Sequence, residues 1–201
     1  MQAEGEIGKA LALLEEIGAE DVDHPRGTLA DHLHGTYAIL QRWECPADVC
    51  LAGLYHSVYG TDVFKTVTLA PDARNRVVEA IGEVAEHLAF TYCALVRDSL
   101  YDNLAAGGPP YRVLDRRDRS PIDVTIEQYA KLMTIDLANR FEQMPHSAAS
   151  RDRFARDRGR YVAATPLLPP RAVEELRATK VQPVTVAVRR LKRKLRRALG
   201  R

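Results

Sequence analysis

Leu51-Ala52-Gly53-Leu54-Tyr55-His56-Ser57-Val58-Tyr59-Gly60-Thr61 is the stretch that decides the fold. An apolar run drops a histidine among small polar residues and then stops at a glycine. Pro46 at a first helical position and Asp48 in the first turn start a helix just upstream. Val49 through Val58 is apolar nearly all round, which predicts a helix at the centre of a bundle and a buried His56.

Working outward, Thr28-Leu29-Ala30-Asp31 has the form of a helix start in which Thr28 caps and Asp31 returns a bond to the cap amide. This second helix is expected to run to about Trp43, with Leu29, Leu33, Tyr37 and Leu40 as its apolar stripe. His32 borders that stripe, and His34 lies on its other side. With the two helices packed together, His32 and His56 converge on one interior point, the candidate site. His24, in the polar loop from Asp21 to Gly27, reads as a solvated histidine.

Residues 4–17 form an amphipathic pattern with Ile7, Leu11, Leu14 and Ile17 on one face. Pro71 to Ile81 predicts a short helix, and Glu83 to about Leu104 a long one with His87 at the core edge. Ala105 to Pro110 is a run of breakers. Arg112 to Arg119 reads as a charged loop that could close over a pocket. Ser120-Pro121-Ile122-Asp123 predicts the start of a helix carrying Ile126, Tyr129, Leu132, Met133, Leu137 and Phe141 to about Met144. Asp136 and Asn139 share a face of it. An unpaired carboxylate beside core positions is costly, so Asp136 requires a cation, a strong donor set or a metal, with Arg140 as the ordinary partner.

The expectation is therefore an all-α fold. Residues 1–146 form a bundle of about six helices, and residues 147–201 a helical extension. A hydrophobic content of 46% suffices for a real core. No apolar run reaches the roughly 18 residues needed to span a bilayer, and the acidic start lacks the form of a signal peptide. Cys45, Cys50 and Cys93 are odd in number and widely spaced, which fits reduced thiols. Together these features predict a soluble cytoplasmic protein.

The net charge of +2 hides an asymmetry: residues 189–201 hold eight Lys/Arg and no acid, leaving −6 on residues 1–188. Val184, Val188, Leu191, Leu195 and Leu199 make residues 183–201 a basic amphipathic pattern. Packing against the body or another copy of the chain ranks first for it, then an anionic membrane surface. The lack of aromatic residues from Arg189 onward argues against nucleic acid.

Over residues 28–145 the chain resembles the HD-domain metal-dependent phosphohydrolase superfamily, and within it the ppGpp-hydrolase type. His32 and His56 stand where that family has its first ligand histidine and its His-Asp pair. Glu83-Val84-Ala85-Glu86-His87-Leu88 is similar to the family's acidic run, and Leu137-Ala138-Asn139-Arg140 to its Leu-Ala-Asp-Arg segment. This chain departs from the pattern at Ser57, Gly60-Thr61 and Asn139, where the family has acids. The likeness is thus to a diverged HD-like family with His-Ser in place of His-Asp. It implies a divalent metal (Mn, Fe or Zn) held by His32, His56 and Asp136, with Ser57, Tyr59, Thr61 and Asn139 orienting a small, phosphorylated ligand or water. Arg112, Arg116, Arg117 and Arg119 are the candidates to meet phosphate, and His87 or His146 would supply any extra ligand. Two functions stay open: a hydrolase-like enzyme using that metal, or a metal-free module that binds a small molecule or a protein.

Overall fold

A computed structural model describes residues 2–24 and 27–181. The basic segment 183–201 lies outside the described residues. The fold is predominantly helical, as expected. The helices are α1 (Gln2–Glu16), α2 (Leu29–Arg42), α3 (Ala47–Tyr55), α4 (Arg74–Ile81), α5 (Glu83–Ala94), α6 (Arg97–Ala106), α7 (Ile126–Gln143), α8 (Ala148–Ala163) and α9 (Pro170–Ala178). Two small antiparallel hairpins join them, β1 (Asp23–His24) with β2 (Gly27–Thr28) and β3 (Tyr111–Leu114) with β4 (Pro121–Val124). No described helix is long and apolar enough to cross a membrane.

α3 is the central helix, and every residue from Val49 to Tyr55 is buried. It packs on α2, α5 and α7. Gly53 permits a close approach to α2, because a Cβ there would overlap the δ-methyl of Leu40. Gly53→Ala is therefore expected to cost about 1–3 kcal/mol through overpacking, measurable as a shift in the urea midpoint. The Thr28–Asp31 capping box forms as its sequence predicts, which fixes the start of α2 and the direction in which His32 projects. α3 is shorter than expected and leaves His56 as its C-terminal cap residue. The turn then ends at Gly60, whose φ of 70° suits glycine.

Two expectations need correction. The long helix over Glu83–Leu104 is two helices, because Leu95 turns extended (φ −72°, ψ 148°) and bridges to Asp115. The Val96 amide donates to the Leu114 carbonyl and the Arg116 amide to that of Ala94, both at 2.7 Å, so the hairpin satisfies the groups that a helix would have paired. Ser120-Pro121-Ile122-Asp123 is not a helix start. It leads into β4, whose residues alternate between exposed and half-buried and pair with β3 from Tyr111↔Val124 to Leu114↔Pro121. The capping box falls five residues later, between Thr125 and Gln128. The described residues after 146 pack onto the bundle. Phe154 and Tyr161 of α8 and Leu176 of α9 are buried in the same apolar cluster as α2, α3 and α7. Glu175 of α9 accepts from the Trp43 indole at 2.7 Å.

The three cysteines are free, as expected. Burial pushes the thiols of Cys45 and Cys93 up to about 12 and that of Cys50 to about 11, so none is an activated nucleophile.

Candidate functional site

His32 and His56 meet inside the bundle. Their Nε2 atoms lie 3.1 Å apart, and both residues are buried. Each ring is braced through its other nitrogen. His32 Nδ1 bonds to the Glu142 carboxylate on α7, and His56 Nδ1 donates to the Gly53 carbonyl at 2.6 Å. A carbonyl oxygen only accepts, so the His56 proton sits on Nδ1 and its Nε2 presents a lone pair to His32. Two lone pairs facing each other at that distance repel. The geometry therefore calls for positive charge between them: a proton on His32 Nε2, shared through the ring with Glu142, or a metal cation.

His56 is kept neutral by its surroundings. Burial and the His32 ring, with a lesser push from the Arg97 guanidinium, drive its pKa down to about 3 against the upward effects of the Gly53 carbonyl and Glu142. Tyr92 meets its ring edge-on with centroids 5.5 Å apart, and the Cys93 thiol donates to its carbonyl at 3.0 Å.

Asp136 is fully buried one layer away, and its carboxylate is already satisfied. Oδ1 accepts from the Tyr92 hydroxyl at 2.8 Å, and Oδ2 from those of Tyr101 (2.5 Å) and Tyr161 (2.6 Å). Arg97 Nη1 lies 3.4 Å from Oδ1. Burial alone would raise this carboxyl. Arg97, Arg140 and the phenol hydrogen bonds outweigh it and hold the pKa at about 2. The cation and donor set that the sequence demanded of Asp136 are thus supplied by protein groups, and Tyr92 stands between the residue and His56.

The other sequence candidates divide. Asn139 belongs to the same network, donating to Tyr92 Oη at 3.0 Å and accepting from Gln143 at 2.8 Å. Ser57 is buried beside His56 in the chain. Tyr59 instead donates to Glu86, which Arg74 clamps through two bonds of 2.7 and 2.5 Å. The Thr61 hydroxyl accepts from the Val63 and Phe64 amides and shapes its own turn. His87 and His34 are exposed. Of the four arginines expected to meet phosphate, Arg119 is exposed and three are engaged within the chain. Arg112 pairs with Asp123, Arg117 with Asp115, and Arg116 donates to the carbonyls of Cys93 and Tyr59.

Sequence reasoning missed two contributors. Glu142 lies three residues beyond Asn139 and so shares its face, a spacing that could have drawn attention to it. His24 is not simply solvated, since its ring stacks on His32 with centroids 4.2 Å apart. That contact has no local signal, because it depends on the hairpin β1–β2 folding back over α2. His24 and Glu142 also line a cleft of about 310 Å³, together with Phe64, His146 and Arg153 of α8. His146 Nε2 stands 3.6 Å from Glu142 Oε1.

These residues define the protein's class: an all-helical bundle with a buried carboxylate–imidazole–imidazole array behind a small cleft. The model of a family described as "Domain of unknown function (DUF6817)" matches residues 13–97, a span that includes both histidines and excludes Asp136 and Glu142. No curated protein and no solved structure matches the chain.

Proposed function

We propose that this chain is a diverged HD-like helical module that binds a small molecule in the cleft lined by His24 and Glu142, the two groups that contact His32. The observation that carries the proposal is the locked state of Asp136. Both its oxygens are taken by tyrosine hydroxyls, which leaves the histidine pair without the carboxylate a metal-dependent hydrolase needs. Among the described residues, no set of three or more His, Cys, Asp and Glu side chains is arranged to hold one metal ion. That supports the metal-free reading. The array fits a centre that holds one proton, with His32 donating to His56 and Glu142 balancing the charge. The cleft is small but within the lower range of small-molecule sites.

A metal-dependent, hydrolase-like function is the second reading, and one observation favours it. Two Nε2 atoms 3.1 Å apart, each ring oriented by a bond at Nδ1, match two ligands at about 2.0–2.1 Å from a shared cation. Elemental analysis of untagged protein separates the two. The binding module predicts folded protein with substoichiometric metal. Stoichiometric metal that disappears in His56→Ala would instead establish the second reading. Because a cation would replace the shared proton, any such binding should also tighten as pH rises.

A further inference from the structure

Asp136 is surrounded by more positive charge than it balances. Arg97 and Arg140 both act on it. Arg140 is only 5% exposed, with one nitrogen, Nη2, 3.4 Å from Asp157. Its Nε and Nη1 are buried without a hydrogen-bond partner among the described residues. Asp157 is itself shared with Arg160 at 3.1 Å. Arg153, on the same helix as Asp157, has no ion pair or hydrogen bond among the described residues. Its charge is disfavoured by burial and by the guanidiniums of Arg140, Arg97 and Arg156, against a smaller opposing effect of Asp157. Three arginines thus face two carboxylates, one of them divided.

One member of this group reaches the cleft, and Arg140 stands behind its wall. Arg153 lines it together with Gln143 and Ser150. Arg140 lies three residues before Gln143, one turn further along the same face of α7. A buried guanidinium with orphan N–H groups costs free energy until an acceptor reaches it, and a second unpaired guanidinium nearby adds repulsion. One group relieves both, namely an oxyanion whose oxygens accept from two planar forks. We propose that Arg153 and Arg140 bind an oxyanion of the small molecule that occupies this cleft, a phosphate or a carboxylate. The proposal rests on the cleft being the ligand site and names the chemical class of its occupant.

The test uses the full chain without added metal, at pH 7.5 and constant ionic strength set with chloride. Melting temperature is followed as inorganic phosphate, or in a second series acetate, replaces chloride. A saturable rise is expected, and the series in which it is larger identifies the source of the oxyanion. Arg153→Gln is expected to weaken the apparent Kd about tenfold or more, with an unchanged far-UV spectrum, since a hydrogen bond to a charged group is lost. Arg156→Gln, which removes an exposed cation one turn away, should leave Kd unchanged. No saturable rise with either anion, or equal losses in both variants, would overturn the proposal. Metal content plays no part in these readouts, so the anion site and the histidine centre fail or stand separately.

Discussion

Asp136→Asn is expected to destabilise the protein by about 3–5 kcal/mol, a large effect for a change that barely alters side-chain size. The substitution removes the only full negative charge within the ring of Tyr92, Tyr101, Tyr161 and Arg97. Arg97 and Arg140 are buried, and both owe their raised pKa to Asp136 and the neighbouring tyrosines, against the opposing effect of burial. Without the carboxylate these cations stay buried and uncompensated, and an amide NH2 would face a hydroxyl or guanidinium donor. Urea unfolding at pH 7 measures the loss, and a change under ~1 kcal/mol would show that Asp136 is not what anchors α7 to α6 and α8. The same carboxyl, held at about 2 against an ordinary 3.8, stabilises the fold above pH 3.8 and ceases to do so as pH falls through 2.

Acid should act earlier through the histidine centre. His56 is held neutral at a pKa of about 3 in the folded protein, against 6.5 when free. Below pH 6.5 the unfolded chain therefore binds a proton that the folded chain refuses. Stability is complete above 6.5 and falls as pH drops toward 3, with a slope of up to ~1.4 kcal/mol per pH unit. The groups facing His56 sharpen this effect: His32 and Arg97 oppose its protonation, while Glu142 offsets part of that opposition. Urea midpoints at pH 7, 6 and 5 should decline in the native protein and decline less in His56→Leu, which has no proton to take up. Parallel declines in the two proteins would place the acid sensitivity elsewhere.

Local pattern made much of this molecule legible. The all-round apolar run from Val49 announced a buried helix, and α3 is the centre of the bundle. Thr28 and Asp31 announced a capping box, and the box forms. Similar signals misled where two of them competed. Ser120-Pro121-Ile122-Asp123 and Thr125-Ile126-Glu127-Gln128 both look like helix starts, and only pairing of Pro121–Val124 with Tyr111–Leu114 selects the second. The same hairpin breaks the helix at Leu95, which periodicity alone would continue.

What the sequence by itself determined is that α2 and α3 form, which faces they bury, and that His32 and His56 lie on adjacent inner faces. Those properties follow from short-range spacing and from the removal of apolar surface from water. Tertiary structure alone decided the partners of the buried charges. Glu142 comes to His32 from 110 residues away and Tyr161 to Asp136 from 25, so Asp136 is tied to tyrosines and arginines rather than to the histidines. A buried charge takes whatever complementary group the packing of distant helices brings within about 3 Å, and no periodicity along the chain encodes that choice.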